Sequence, residues 1–320
     1  MGARDCLKRS LRGRAVLDWS DYDRCWLDGC RQRPLDAAER VMLETIAADI
    51  AGVSDTQRGT AWGRCSPPGR FAATVIRLRP EVTHQFADSA AALRVGAVGI
   101  KLFKTTADGR REGDKVVRFC RDAIHRLPGL PNAHVQRVIA AGEWQSGPES
   151  RHYVVQQWVT GHTLEELNEC IWPAQPIDGR VARSIVSQLL VAIVVPLWSA
   201  GTIWWDFRDA NYCWDPLTEH LTMIDVDSLA AYVEETLETP AEWVRRDNRR
   251  QTGLSRLRQM ALRVLLAQGI RPQAAVRRHV AAAWADFEPA LRTLGKSPHG
   301  PVLTAVRSFF DRLDAMGCLV

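Results

Sequence analysis

Apolar and polar positions divide this chain into a strand-like part followed by a helical part. Phe71 to Arg79 (FAATVIRLR) and Leu93 to Phe103 (LRVGAVGIKLF) are Val- and Ile-rich runs bounded by Pro and Gly, the pattern of strands. The polar loop Pro80 to Ser89 separates them. Val116, Cys120, Ile124 and Leu127 then recur at helical spacing, and Pro128-Gly129 ends that helix. Val135 to Ala140 and Tyr153 to Val159 read as two more short strands. After Gly161 the pattern becomes mainly helical. It predicts a helix over about 179–199 whose end Pro196 distorts, short strand-like pieces from Ile203 to Asp227, and amphipathic helices near 254–268, 272–294 and 301–316. Ahead of all this, Pro34 to Ile50 is an amphipathic helix opened by Pro34 and followed by Gly52. The predicted class is α+β with two lobes: a helical N-terminal extension over 1–60, a β-rich lobe over 61–156, and a connector with a helical lobe over 157–320.

Composition narrows the function classes. Hydrophobic residues make up 46% of the 320 positions and charged residues 25%, ordinary for a soluble globular chain. No apolar run reaches the roughly 20 residues of a membrane helix, the longest being Leu189 to Leu197. The segment MGARDCLKRSLRGR has charges but no following apolar region, so it is not a secretory signal. Cys6 stands where myristoylation wants Ser or Thr. Eight Cys occur without a C-x-x-C pair or zinc spacing, which fits thiols in a reducing cytoplasm. The net charge of +5 allows an acidic partner, and no nucleic-acid-binding motif is present, so neither nucleic acid nor membrane is expected as a partner. Within the 42 basic residues only Lys8, Lys101, Lys104, Lys115 and Lys296 are lysines. Each is therefore a scarce event.

Three short motifs carry chemistry. Val98-Gly99-Ile100-Lys101 is a strand ending in one of those lysines. Asp206-Phe207-Arg208-Asp209-Ala210-Asn211 places a carboxylate and an amide on one loop. Met223-Ile224-Asp225-Val226-Asp227 is an apolar strand ending in a carboxylate. Phosphoryl transfer from ATP needs these parts: a fixed cation for the phosphates, a carboxylate and a neutral oxygen for Mg²⁺, and a carboxylate where the acceptor hydroxyl loses its proton.

In this order the motifs resemble those of the protein-kinase-like superfamily, V-A-I-K, H-R-D-x-x-x-x-N and D-F-G. His152 to Leu164 (HYVVQQWVTGHTL) is similar to the last N-lobe strand, hinge and next helix of protein kinases. Leu197 to Asp206 (LWSAGTIWWD) is similar to the entry into their catalytic loop, and Asn132 to Gly142 to the strand after their αC helix. The match spans roughly residues 63–230. The resemblance implies that Lys101 binds the α- and β-phosphates, that Asp206 is the catalytic base, and that Asn211 and Asp225 hold Mg²⁺. It places Arg208 where a Lys usually touches the γ-phosphate. It gives Gln157 and Val159 backbone contacts to adenine, with Gln156 as gatekeeper. Gly69, in Gly69 to Val75, resembles half of a glycine-rich loop. Asp122 fits best as the αC acid that pairs with Lys101, with Glu112 and Asp114 as rivals. ATP and Mg²⁺ are the implied cofactors.

The chain departs from that pattern in places. Trp204-Trp205 replaces His-Arg before Asp206, D-F-G reads Asp-Val-Asp, and Pro240-Ala241-Glu242 only echoes A-P-E. Trp198, Trp204, Trp205 and Trp214 crowd the catalytic loop and read either as core packing or as an aromatic wall for an acceptor. Arg245 to Arg258 has six Arg in fourteen residues, which reads as a solvated face or as a docking surface for an acidic peptide or phosphate. Asp209 and Asp227 are extra carboxylates beside the site. The expected activity is Mg·ATP-dependent transfer to a hydroxyl, first of a protein or peptide Ser/Thr. One version phosphorylates a precursor peptide so that a partner lyase eliminates phosphate. The alternatives are a small-molecule kinase resembling the aminoglycoside phosphotransferases and a nucleotide-sensing pseudokinase that works as a binding module.

Overall fold

The computed structural model describes residues 72–77, 98–122, 133–146, 149–199, 204–226, 240–269, 272–294 and 300–319. The expected helix over Pro34 to Ile50 and the glycine Gly69 lie outside these residues, as does Asp227. The described residues fall into two compact units, with the chain passing from the first to the second between Thr160 and Gly161. Residues 133–135 belong to the second unit.

The first unit is built on a four-stranded antiparallel sheet in the order β1-β2-β4-β3, with β1 Ala72–Arg77, β2 Val98–Phe103, β3 Val138–Ser146 and β4 Glu149–Gln157. Side chains two apart on a strand share a face, so Val98, Ile100 and Leu102 form one buried row, continued by Ile76 and Val155 on the neighbouring strands. Helix α1, Ala107–Asp122, lies against β3 and β4. Its buried residues are Gly109, Gly113, Val116, Val117, Phe119 and Cys120, and a Cβ added at Gly113 would stand 2.7 Å from the Cβ of His152. The strand expected from Val135 begins instead at Val138 and runs on to Ser146. Its continuation through Gly142-Glu143-Trp144 gains a ladder with β4 from Gly142↔Tyr153 to Ser146↔Glu149, and this pairing outweighs the polar composition.

The second unit opens with β5, His162–Thr163, followed by α2, Leu164–Glu166, which widens into a π turn over Leu167–Ile171. Thr163 and Glu166 form a reciprocal capping box at the start of α2. Helix α3, Gly179–Ser187, has its Asp178 side chain capping the Val181 N–H. It passes through a π-helical stretch, Gln188–Val194, into α4, Val195–Ser199. The wide turn falls directly ahead of Pro196, whose missing N–H and bulky ring disturb the α ladder. The run Gly179–Ser199 is long and apolar enough to cross a membrane by composition, longer than the apolar stretch the sequence pattern marks. Much of it is covered by protein: Ile185, Leu189, Leu190, Ile193 and Leu197 are each fully buried.

Strands β6, Tyr212–Asp215, and β7, His220–Met223, form a hairpin, and β5 adds to the β6 edge. Helices α5, Pro240–Leu266, α6, Gln273–Arg292, and α7, Gly300–Ala315, complete the unit. Helix α5 starts fourteen residues before the expected 254. Its first half has few apolar residues and is tied down by arginine instead. Arg250 is 7% exposed and donates to the carbonyls of Arg292 and Leu294, capping the C-terminal end of α6. Trp284, Phe287 and Phe309 stack edge-on and tilted between α6 and α7.

Gly161 is the position where backbone conformation decides. Its φ is +98°, and an added Cβ would lie 2.2 Å from the Trp214 carbonyl oxygen. Gly161→Ala is expected to cost about 3 kcal/mol from strain alone and to lower the melting temperature by several degrees. A melting curve that matches the native one would refute this reading of the β5–β6 junction.

Candidate functional site

The hairpin assembles the loop motifs of the second unit. The Asp215 carboxylate accepts the Leu217 N–H at 2.9 Å, and Glu219 takes a φ of +51°, together closing the turn between β6 and β7. The pairing Tyr212↔Met223 then sets Asn211 beside Ile224. The Ile224 N–H donates to the Asn211 carbonyl at 2.7 Å, and the Asn211 N–H donates to the Arg208 carbonyl at 2.8 Å, closing a 3-10 turn over Asp209–Asn211. Asp225 follows with a φ of +61°, left-handed for a non-glycine residue and re-aimed by that turn.

Trp198 and Trp204 hold the loop from behind. The Trp198 Nε1–H donates to the Trp204 carbonyl, and the Trp204 Nε1–H donates to the Tyr212 hydroxyl, each at 3.0 Å. Phe207 packs at 6.2 Å from the Trp198 ring and stacks with the Tyr212 ring. Trp198, Trp204 and Trp214 are buried, so core packing is their role, while Trp205 is half-buried. Burial pushes the Tyr212 hydroxyl and the Cys213 thiol well above their ordinary ranges, so both stay protonated.

Asp206 is 2% exposed and fully engaged. Its Oδ1 accepts from Arg208 Nε at 2.7 Å and from Arg256 Nη1 at 2.9 Å. Its Oδ2 accepts from Arg208 Nη2 at 2.5 Å and from Asn211 Nδ2 at 3.2 Å. The Asp206 hydrogen bonds raise the Arg208 pKa against the opposing effect of burial, with Asp206, Asp225 and Glu165 adding attraction. Asn211 also donates to the Asp206 carbonyl at 3.2 Å. Its amide nitrogen is thus spent, and its carbonyl oxygen is the end left to meet a cation.

A second pair stands beside the first. Asp209 is met by Arg263 through Nε at 2.8 Å and Nη2 at 3.0 Å, and by Asn168 Nδ2 at 3.1 Å. Burial raises the Asp209 pKa, and Arg263 opposes that shift. Arg256 and Arg263 both come from α5, as does Gly253, where a Cβ would lie 3.3 Å from the Trp198 ring, the Trp204 carbonyl and the Trp205 Cα. The helix therefore runs close against the loop backbone. Neither arginine is singled out by the sequence motifs. The signal was the seven-residue spacing of Arg249, Arg256 and Arg263, two helical turns apiece, within and just beyond the basic run.

The first unit carries the other expected residues. Lys101 sits in β2 between Val75 and Val154, with its Nζ 5.5 Å from the centre of the Phe103 ring. Gln156 pairs with Gly99 and is 8% exposed. The Gln157 N–H donates to the Arg137 carbonyl at 2.9 Å, and the Gln157 carbonyl accepts from Gln136 Nε2 at 2.9 Å. Val159 lies in the half-buried segment that follows β4. A Cβ at Gly99 would meet Trp158 Cε3 at 2.9 Å, so the indole lies on Gly99 itself. Asp122 is the last residue of α1. Asp114 and Glu112 are both half-buried on α1, and Asp114 is ion-paired with Arg118.

A histidine pair fixes residues 133–135 to the hairpin. The rings of His134 and His220 stack at 4.1 Å, with His134 Nδ1 2.8 Å from the Leu221 carbonyl and His220 Nε2 3.1 Å from the Ala133 carbonyl. Burial lowers the His134 pKa, the Leu221 hydrogen bond opposes this, and the His220 charge adds to it. A histidine with a lowered folded-state pKa is disfavoured when charged, so its contribution is intact above the ordinary value and lost as pH falls through it. The unfolding free energy should hold above about pH 6.5 and decline below it, by at most about 1.4 kcal/mol per pH unit for this group, and the melting temperature should follow it. His134→Asn should flatten that decline; an equal decline in the variant assigns it elsewhere.

No family model matches this chain. No curated protein matches it either. Among solved structures it is similar to a point mutant of the Mycobacterium tuberculosis PknI kinase domain, at 12% identity and a TM-score of 0.46, covering 80% of this chain and 94% of that one. The same domain without that mutation gives 14% identity and a TM-score of 0.45, covering 79% and 94%. The Neurospora crassa PAN3 pseudokinase gives 11% identity and a TM-score of 0.43, covering 76% of this chain and 57% of that one.

Proposed function

We propose that the chain is a Mg·ATP-dependent phosphotransferase acting on a hydroxyl, with Ser or Thr of a protein or peptide as the acceptor. The observation that carries this reading is the convergence of Asp206, Arg208, Asn211 and Asp225 at one end of the β6–β7 hairpin, tied by the Ile224-to-Asn211 hydrogen bond. The donor set suits Mg²⁺: a carboxylate from Asp225 and the amide oxygen that Asn211 keeps after giving its nitrogen to Asp206. Among the described residues no group of three or more His, Cys, Asp and Glu could hold a metal by itself, so phosphate oxygens and water complete the shell. Mg·ATP, when bound, supplies the transferable phosphoryl group.

The residues then divide the work. Lys101 holds the α- and β-phosphates, and Asn211 and Asp225 hold the metal. Gln157 and Val159 orient the base through backbone groups. Asp206 orients the acceptor hydroxyl and takes its proton. Arg208 offsets charge on the group in transfer. The test is incubation with γ-labelled ATP and cell extract. Label in protein supports the reading, label in a small molecule moves the acceptor to the alternative class, and no label opposes phosphotransfer.

One observation favours a second reading, a nucleotide-sensing pseudokinase. Trp158 lies on Gly99, on the strand face that also carries Lys101, where the proposed base contacts are close by. Thermal shifts with ATP, with and without Mg²⁺, separate the two. Metal-independent stabilisation without turnover favours the binding module.

A further inference from the structure

Asp206 has about four acceptor positions, as any ionised carboxylate does, and four donor contacts fill them. A hydroxyl can reach this carboxylate only if one donor leaves. Arg208 is held by two parallel hydrogen bonds from the same loop, and Asn211 is fixed by the 3-10 turn and the hairpin. Arg256 makes a single contact to Oδ1, comes from another element, and has 38% of its side chain exposed. Its guanidinium carbon lies 5.2 Å from the centre of the Trp205 ring, which gives the side chain a second surface to rest on. Arg256 is the donor that can move.

Two guanidinium groups share the one carboxylate that hydrogen-bonds them, and Asp225 and Glu165 act on Arg208 only through longer-range attraction, so among the described residues Arg256 has no carboxylate of its own. A planar guanidinium exchanges a carboxylate for a phosphate readily, because the geometry of its hydrogen-bond fork suits both. We infer that Arg256, with Arg208, forms an anion subsite for the acceptor: a phosphate or carboxylate next to the acceptor hydroxyl draws Arg256 off Asp206 and frees the base. The acceptor class is then an acidic or already phosphorylated peptide. This assignment rests on the phosphotransferase reading, but its test does not require turnover. Arg249, half-buried and two helical turns before Arg256 on α5, supports the peptide source, since it adds a second cation along the same helix.

The test is a calorimetric titration of the full chain with O-phosphoserine and with a short phosphoserine peptide. Native protein should bind the peptide saturably. Arg256→Ala should weaken it tenfold or more. Asp206→Asn should tighten it severalfold, because the carboxylate that competes for both arginines is gone; misfolding cannot mimic a gain. Ten-fold preference for the peptide over the free amino acid supports a peptide acceptor, and equal affinity keeps the anion subsite but assigns it to a small molecule. Absence of saturable binding, or Asp206→Asn binding no tighter than native, overturns the subsite. Displacement of the peptide by a non-hydrolysable ATP analogue hands the arginines to the donor phosphates and also overturns it. Failure of the labelled-ATP assay alone, with these affinities intact, counts against phosphotransfer and leaves the subsite standing.

Discussion

Asp206→Asn lowers phosphoryl transfer from γ-labelled ATP by about a hundredfold to ten-thousandfold, the span usual for a positioned general base, with little change in ATP affinity. The amide keeps the shape of the side chain and one acceptor oxygen but can no longer take a proton from a hydroxyl. The nucleotide contacts assigned to Lys101, Gln157 and Val159 are untouched, so binding and turnover separate. Stability should fall modestly. Arg208 and Arg256 have 64% and 38% of their side chains exposed, so each can return to water when the counter-charge is lost, while the buried amide turns its NH2 towards donors that met an oxygen, which costs about 1–3 kcal/mol. Single-turnover transfer and a nucleotide titration on the same preparation read both quantities. Native turnover in the variant would remove Asp206 from the chemistry, and lost ATP affinity would give it a binding role instead.

Trp198→Ala is expected to be the most damaging packing change near the site. The indole is fully buried, anchors the Trp204 carbonyl and lies against Phe207. Truncating a buried aromatic costs about 3–5 kcal/mol, a large part of the 5–15 kcal/mol or so that holds a typical domain together. The variant should unfold at much lower denaturant concentration, with a loosened 204–208 loop. Trp198→Phe keeps most of the volume and loses one hydrogen bond, worth about 1 kcal/mol. It should stay folded, and its turnover should fall more than its nucleotide affinity, since it perturbs the carbonyl directly before Trp205-Asp206. Equal denaturation midpoints for native protein and Trp198→Ala would show that the loop does not depend on this indole.

What could be read along the chain was whatever local pattern encodes. Val- and Ile-rich runs marked β1 and β2, and the 3.6-residue period marked α6 and α7 close to their observed bounds, because burial of one face imposes that repeat, while α1 was marked only from Val116 although it starts at Ala107. Helix α5 was marked only in its second half. Its first half is tied down by arginine hydrogen bonds to distant carbonyls, an interaction with no period of its own. The short motifs singled out Asp206, Arg208, Asn211 and Asp225, and a hairpin of fixed length sets Asn211 beside Ile224 and Asp225. They could not reveal that Arg256, fifty residues beyond Asp206, closes the remaining acceptor position of that carboxylate. Nor could they reveal that Arg263 and Asn168 claim Asp209.

The sequence by itself determined the element types, the strand-to-helix order and the identity of the loop residues, because these follow from side-chain periodicity and backbone preference within a few turns of chain. Only the tertiary structure decided which charges meet. An ion pair depends on distance through space, and arginines spaced seven apart on α5 look like a solvated face until the helix is laid against the loop whose carboxylates they hold.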